Sequence, residues 1–278
     1  MLDFQQIKDQ YPENLQRFER AILREYLQYK VLQAVFDSNH ASKLAFRGGT
    51  ALRIVHGNNR FSEDIDLDKF GLSWTEFEEV IQKVQRFMGL EGFEVEIRNV
   101  AKGAYWCYLK FPVLLYEQGL SPFQEEKILI QVDTIAQGYA YKPETILINK
   151  FDVFAEVRLT PLNILLSHKI YTAVNRKRPR GRDFYDIIYL SSLTKPDMVF
   201  LNQKLGVDSA ESLRYEISAR ITAYDFKSLA DDVTPFLMNQ EDIKRVEKFR
   251  EFWDQVELDW KSRRNLLFWS VTYGDENR

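Results

Sequence analysis

The sequence predicts an α+β protein in which a strand-rich first half precedes a helical second half. Up to about residue 159, short apolar or alternating segments are separated by glycines and polar turns, a pattern typical of β-strands connected by loops and helices. After Thr160-Pro161, apolar residues recur every three or four positions with charges between them, as in amphipathic helices. We therefore divide the chain into residues 1–158 and a helical domain of residues 159–278.

Composition limits the class of protein. The 278 residues are 45% hydrophobic, which is enough for a packed core. A net charge of −3 excludes a basic field over the whole surface, so any nucleic acid must bind to a local patch. The single cysteine, Cys107, excludes an intrachain disulfide, and it lies in an aromatic run that predicts a buried thiol. Because the sequence has neither a signal-peptide pattern nor a membrane-spanning apolar run, we expect a cytoplasmic protein.

Local patterns predict the elements of the first half. Apolar residues at helical spacing predict a helix over residues 13–36, and the capping-box spacing of Ser73 and Glu76 predicts another over residues 74–88. Strands are predicted over residues 44–46, 64–67, 93–97, 104–115 and 127–135. Residues 144–159 have mixed character, with short strands or loops.

The second half is predicted to consist of helices. Thr160 has the character of an N-cap and Pro161 that of a first helical residue, so a helix is predicted over residues 161–176, and Asp183 begins the next. Further helices are predicted over residues 208–223, 226–237 and 240–262. The last carries an apolar stripe formed by Ile243, Val246, Phe249, Phe252, Trp253 and Val256.

Asp64 and Asp66 are the first candidate site residues. Successive side chains of a strand point to opposite faces, so these two acids share one face while Ile65 and Leu67 face the core. Two neighbouring carboxylates ordinarily need a cation, and oxygen ligands of this kind suit Mg²⁺. The alternative is a solvated acidic edge strand, which Asp68 would continue.

Two further features favour the metal site over the edge strand. Gly48-Gly49-Thr50 lies at a strand-to-helix turn, where paired glycines let backbone N–H groups approach a phosphate. Asp133 is the only carboxylate of an apolar strand, so it is either the exposed end of that strand or a third site carboxylate. Asp64 and Asp66 on a neighbouring strand favour the second interpretation.

Lys169 lies on the apolar face of the predicted helix over residues 161–176. A cation there must extend to solvent, pair with an acid or meet a ligand. Under the functional hypothesis, Lys169 extends into a cleft that faces the strands carrying the candidate carboxylates, where it would neutralise nucleotide phosphates. Arg176 lies two turns further along and begins the most concentrated basic run of the chain, which is either a solvated loop or a site for the phosphates of RNA or a triphosphate.

Taken in order, five segments carry a family resemblance. They are Phe46-Arg47-Gly48-Gly49-Thr50-Ala51-Leu52, Arg60-Phe61-Ser62-Glu63-Asp64-Ile65-Asp66-Leu67, Lys169, Asn175-Arg176 and Arg182-Asp183-Phe184-Tyr185-Asp186. With them the chain resembles the AbiEii/AbiGii-type nucleotidyltransferase toxins, which include the MenT proteins, within the DNA polymerase β-like superfamily. The resemblance covers roughly residues 46–190.

The resemblance implies a bilobed protein with a polymerase β-like mixed sheet in the N-terminal lobe and helices in the C-terminal lobe. It also implies that the protein binds Mg²⁺, or Mn²⁺ in its place, and a nucleoside triphosphate (NTP), and transfers a nucleotide to an acceptor. For several relatives that acceptor is the 3′ end of tRNA. A cognate antitoxin is a further expected partner, and no membrane is expected.

The resemblance also implies three sets of site residues. The catalytic set is Asp64, Asp66, Lys169 and Asp183, with Asp186 as the alternative to Asp183. The nucleotide-binding set is Gly48, Gly49, Thr50, Ser62, Lys169 and Arg176. The metal-binding set is Asp64, Asp66 and Asp133, the last of which could instead accept the proton of the attacking hydroxyl. Two other hypotheses remain open: a transferase that modifies a protein or a small molecule, and an inactive protein that binds NTP or RNA.

Overall fold

The computed structural model describes residues 2–259 and divides the chain into two compact units. Unit 1 comprises Met1–Pro161 and Phe236–Gln240. Unit 2 comprises Leu162–Pro235 and continues from Glu241. The chain passes from the first unit to the second after Pro161, whereas the sequence places the boundary after residue 158.

Unit 1 is built on a seven-stranded sheet with the order β3-β4-β5-β2-β1-β7-β6. Its strands are β1 (Leu44–Arg47), β2 (Ile65–Lys69), β3 (Glu96–Lys102), β4 (Ala104–Phe111), β5 (Ile128–Ile135), β6 (Glu144–Lys150) and β7 (Val153–Leu159). The sheet is mixed, because β1 runs parallel to β7 and β2 parallel to β5, while the other neighbours are antiparallel. The predicted α+β class is confirmed.

Helices accompany this sheet within unit 1. They are α1 (Phe4–Lys8), α2 (Glu19–Phe36), α3 (Gly48–Ile54), α4 (Trp74–Leu90) and α5 (Leu114–Glu117). The capping box predicted before α4 is present: Glu76 N–H donates to Ser73 Oγ, and Ser73 N–H donates to the carboxylate of Glu76. The apolar residues of α2 and α4 join those of the sheet strands in one buried cluster.

Three predicted elements of unit 1 differ from the structure by more than two residues at one end or both. The helix predicted over residues 13–36 is a 3₁₀ turn, Glu13–Leu15, followed by α2. The strand predicted over residues 93–97 begins only at Glu96, because Gly92 reverses the chain at φ +90° and the buried Phe93 closes the end of α4 instead. The strand predicted over residues 104–115 ends at Phe111, where Pro112 and the left-handed Val113 (φ +52°) interrupt the ladder.

Unit 2 is helical among its described residues. Its helices are α6 (Leu162–Asn175), α7 (Gly181–Ser191), α8 (Met198–Leu205), α9 (Ala210–Ile221), α10 (Phe226–Val233), α11 (Ile243–Glu247) and α12 (Phe249–Gln255). An aromatic group forms part of its core, with the Phe184 ring 5.0 Å from that of Phe226 and 4.7 Å from that of Phe249. No helix within residues 2–259 combines the length and the apolar character needed to span a membrane.

The helix predicted over residues 240–262 is replaced by a 3₁₀ turn and two short helices, α11 and α12, separated by Lys248. Half of the predicted stripe faces inward: Val246, Phe249 and Trp253 are fully buried, whereas Ile243, Phe252 and Val256 are half-buried. The part of that prediction beyond residue 259 lies outside the described residues. Helix α8 was not predicted, and α10 ends at Val233 rather than at residue 237.

Candidate active site

A row of four side chains crosses four neighbouring strands of unit 1. The strand registers pair Trp106 with Asp133, Asp133 with Asp66, and Asp66 with Arg47. Residues paired in register lie side by side on one face of a sheet. The structure therefore brings together Asp66 and Asp133 on the parallel strands β2 and β5, with Arg47 on the other side of Asp66.

Strand β2 lies in the interior of the sheet, between β1 and β5. Ile65 and Leu67 are buried in the core, as their alternation predicts. Asp68 is only 2% exposed. The alternative of a solvated acidic edge strand is therefore wrong.

Asp68 and Arg47 belong to a buried polar network next to this row. Arg47 Nε lies 2.8 Å from Asp68 Oδ1, and Arg47 Nη2 lies 3.8 Å from Asp66 Oδ1. Asp68 also accepts hydrogen bonds from the amide of Gln137 (2.9 Å) and from the hydroxyl of Tyr141. Burial raises the pKa of the Asp68 carboxyl, while Arg47 and these two donors oppose the rise. The network thus fixes the guanidinium of Arg47 beside Asp66.

Sequence reasoning assigned no role to this network. The one local signal was the position of Arg47, which directly precedes Gly48-Gly49 at the end of a strand. Gln137 and Tyr141 lie in a polar loop, and nothing in the sequence indicates that their side chains meet Asp68, 69 and 73 residues away.

Asp133 is more shielded from water than an ordinary surface acid. Burial raises the pKa of its carboxyl to about 6, and the charge of Asp66 adds to the rise. Gln131, which donates a hydrogen bond to Asp133 Oδ1 at 2.8 Å, and Arg47 act in the opposite direction. At neutral pH the carboxyl is therefore mainly ionised, and it could accept a proton when the pH falls by about one unit.

The glycine turn is packed directly against the acidic row. Gly48 has φ +79°, and a Cβ at this position would lie 2.0 Å from Asp66 Oδ2. A Cβ at Gly49 would lie 2.9 Å from Ser62 Oγ and 2.4 Å from the guanidinium of Arg60. Both glycines are therefore required because other side chains approach the backbone closely.

Thr50 and Asp64 are connected through the backbone. Thr50 is fully buried and its hydroxyl donates a hydrogen bond to the carbonyl oxygen of Asp64. Asp64 itself is half-buried and directly precedes β2, so it is not part of the strand. The hydroxyl of Thr50 therefore holds the entry into β2, two residues before Asp66.

Lys169 lies in unit 2, where it meets both candidate acids of α7. Its Nζ is 3.0 Å from Asp183 Oδ1 and 2.8 Å from Asp186 Oδ2, and both acids are almost fully buried. Arg176 Nε lies 3.3 Å from Asp183 Oδ2. The ammonium group of Lys169 thus contacts two buried carboxylates rather than extending into solvent. Asp183 and Asp186, the two acids between which the sequence left the choice open, both pair with it.

The chemistry of the row suits a divalent cation bound together with a ligand. Across residues 2–259, no group of three or more histidine, cysteine or acidic side chains converges closely enough to enclose a metal ion. Mg²⁺ does not need such a group, because it is ordinarily held by one or two carboxylates while waters and substrate phosphates complete its coordination. The in-register pair of Asp66 and Asp133 fits that requirement.

Comparison with solved structures identifies proteins that share this fold. The fold is similar to that of JHP933 from Helicobacter pylori, with a TM-score of 0.52 and 15% identity over 90% of this chain and 98% of that one. It is also similar to a second Helicobacter pylori protein, provisionally assigned as a nucleotidyltransferase, with a TM-score of 0.52 and 14% identity over 89% and 98% of the two chains. At 14% and 15% identity, these two similarities show the fold that the chain shares.

The family follows from the sequence match. The model of the family described as nucleotidyl transferase AbiEii toxin, type IV toxin–antitoxin system, matches residues 30–267. The chain belongs to this family and is a nucleotidyltransferase. No curated protein matches the sequence.

Proposed function

We propose that this protein transfers a nucleoside monophosphate from an NTP to an RNA acceptor, such as the 3′ end of tRNA, in a reaction that depends on Mg²⁺. Mn²⁺ is an alternative ion for the same ligands. The observation that carries the proposal is the in-register pair of Asp66 and Asp133, set behind the glycine turn and beside the fixed guanidinium of Arg47.

The reaction replaces one oxygen bonded to the α-phosphorus of the NTP with another. An acceptor hydroxyl oxygen attacks the α-phosphorus, the bond between the α-phosphorus and the bridging oxygen breaks, and pyrophosphate leaves. Mg²⁺ bound by Asp66 and Asp133 would offset the negative charge that develops on the phosphate oxygens. In its alternative role, Asp133 would accept the hydroxyl proton instead of holding the ion.

The residues around the pair have supporting roles in this proposal. The missing side chain at Gly48 leaves room for the Asp66 carboxylate, and Thr50 fixes the backbone of Asp64. The predicted roles of Ser62 and Lys169 in nucleotide binding stay predictions. So does the catalytic role of Asp183, which in this structure forms ion pairs with Lys169 and Arg176.

An RNA acceptor is supported by the basic run that follows α6. The side chains of Arg176, Lys177, Arg178 and Arg180 are exposed within a few residues of one another. Such a local patch binds phosphates even though the chain as a whole is acidic. Membership of a type IV toxin–antitoxin family supports a cognate antitoxin as a further partner. We place the reaction in the cytoplasm, where tRNA is found.

The test uses each α-labelled NTP in turn with total tRNA and Mg²⁺. We expect one or more of them to label RNA. Asp66→Asn and Asp133→Asn should abolish labelling, because each removes a charge from the metal-binding pair. Asp37→Asn, at an exposed position after α2, is the matched control and should keep full activity. Thermal melts of all three variants exclude unfolding as the cause.

The molecule that becomes labelled distinguishes an RNA acceptor from a protein or small-molecule acceptor. Label that appears only on protein or on a small molecule would overturn the RNA acceptor and keep the enzyme class. Full activity of Asp66→Asn, or equal labelling in the presence of a chelator, would overturn the proposed site and the dependence on metal. Expression in cells adds a second measurement, since Asp66→Asn should also relieve any inhibition of growth.

A further inference from the structure

Strand β6 is an edge strand with an unusually apolar centre. It is the last strand of the sheet, and no described strand pairs with its outer side. Leu147, at its midpoint, is 61% exposed, and Phe154 on the neighbouring strand β7 is 64% exposed. The opposite edge strand, β3, carries Arg98 next to its central residue, and such a charge is a common protection against pairing with other chains. Between its two end residues, β6 has no charge.

The backbone of β6 is regular and oriented for pairing. β6 and β7 form a hairpin with a two-residue turn, in which Lys150 is paired with Val153. In such a hairpin the pair next to the turn exchanges backbone hydrogen bonds, and hydrogen-bonded pairs then alternate along the ladder. The N–H and C=O groups of Thr145, Leu147 and Asn149 therefore point to the open side.

The sequence of β6 is complementary to itself in the antiparallel direction. Glu144-Thr145-Ile146-Leu147-Ile148-Asn149-Lys150 places isoleucines on both sides of Leu147, then a polar residue on each side, then opposite charges at the two ends. We propose that β6 is a homodimer interface, in which β6 of a second copy of this chain pairs with it antiparallel about a two-fold axis at Leu147.

The proposed register uses all the outward-pointing groups. Leu147 lies opposite Leu147 of the second copy, and Thr145 lies opposite Asn149, so that roughly six backbone hydrogen bonds form. One patch meets the same patch on the other copy, which is the arrangement of a two-fold symmetric dimer. The dimer thereby satisfies the backbone groups of a strand that would otherwise be open to aggregation.

Charge distinguishes this arrangement from parallel pairing. Parallel pairing would place Glu144 beside Glu144 and Lys150 beside Lys150, whereas the antiparallel register opposes unlike charges. The ammonium of Lys150 already lies 2.9 Å from the buried carboxylate of Glu25 in its own chain. A contact between Lys150 and Glu144 of the second copy would therefore add to an ion pair that already exists. The preference for antiparallel over parallel pairing comes mainly from the repulsion between like charges that parallel pairing would create.

Cysteine cross-linking tests the register in the full-length protein. The chain has one cysteine, Cys107, which is fully buried, so it does not compete. In the proposed dimer the Cα atoms of two copies of residue 147 are about 5.5 Å apart, which a disulfide can span. Leu147→Cys should therefore form a covalent dimer under mild oxidation. Thr145→Cys is the matched control, because its two copies would lie roughly 14 Å apart.

The double variant Thr145→Cys/Asn149→Cys should restore the cross-link, since each cysteine then faces one on the second copy. Absence of covalent dimer from both Leu147→Cys and the double variant would overturn the proposal. Equal cross-linking of Thr145→Cys and Leu147→Cys would also overturn it, because it would indicate random collision.

Sedimentation equilibrium gives an independent result. We expect wild-type protein to approach twice the chain mass of 32.9 kDa as its concentration rises. Leu147→Lys, which places two like charges at the axis, should remain at the mass of one chain. Phe154→Lys replaces an equally exposed apolar residue on β7 and should still dimerise. Wild-type protein that stays at one chain mass, or dissociation of Phe154→Lys to the same extent as Leu147→Lys, would contradict the pairing of β6.

Discussion

Gly48→Ala should damage the acidic site through one added methyl group. An alanine Cβ at this position would lie 2.0 Å from Asp66 Oδ2, whereas an ordinary contact begins at 3.4 Å. The carboxylate of Asp66 must therefore move by more than 1 Å, and it moves away from a position next to Asp133 and Arg47. A displacement of about 1 Å in a reacting geometry can lower a rate on the order of 100-fold.

Gly57→Ala separates this effect from the strain of the backbone. Gly57 has φ +74°, close to the +79° of Gly48, but a Cβ there meets no described atom within 4 Å. Each substitution carries a cost of about 1–2 kcal/mol for a left-handed alanine. Only Gly48→Ala adds the cost of overpacking, about 1–3 kcal/mol. The difference between the two variants therefore measures the contact with Asp66.

Two assays are needed: urea denaturation for the free energy of unfolding, and nucleotide transfer for activity. Gly48→Ala should unfold at lower urea than Gly57→Ala and lose about 100-fold in transfer, while Gly57→Ala keeps its activity. If the two variants have the same unfolding free energy and both remain active, the close approach of Asp66 to Gly48 has no consequence and the reasoning fails.

Three further outcomes are expected. Burial alone would raise the pKa of Glu25, but Arg53 and Lys150 lower it below its usual value. The carboxylate of Glu25 therefore stabilises the folded state above pH about 4.5, and this stabilisation is lost as the pH falls further. In urea titrations between neutral and acidic pH, the free energy of unfolding should fall more steeply with pH for wild-type protein than for Glu25→Gln. Equal slopes would contradict this prediction. Lys169→Met should lower the free energy of unfolding by about 3–5 kcal/mol, because it removes the ammonium group that contacts two buried carboxylates; an unchanged urea midpoint would instead indicate a lysine at the surface. The thiol of Cys107, whose pKa burial raises to about 12, should react with a thiol reagent at pH 8 only after unfolding, and rapid labelling of the native protein would contradict its burial.

The sequence was most informative where a local rule decides the structure. The capping box at Ser73 placed the start of α4, and the alternation of Ile65 and Leu67 placed the core face of β2. The helical spacing after Pro161 correctly predicted helices for the described residues that follow it. Each of these depends on contacts between residues only a few positions apart.

Other features depended on partners distant in sequence. Nothing local indicates that β2 pairs with β5, so the register of Asp66 with Asp133 appeared only in the structure. The polar partners of Asp68 were missed for the same reason. The choice between Asp183 and Asp186 could not be made from the helix alone, because one turn of α7 presents both acids to Lys169.

The segment Phe236–Gln240 affects how this protein can be divided. It belongs to unit 1, where the Phe236 carbonyl accepts a hydrogen bond from Phe61 N–H at 2.8 Å and Met238 N–H donates to the Asn59 carbonyl at 3.2 Å. The chain therefore passes between its units three times rather than once. A fragment that stops at Pro161 lacks part of the first unit, so the enzyme cannot be cut into two interchangeable modules. Recombination between relatives at that point would leave the loop before β2 without its hydrogen-bonding partner.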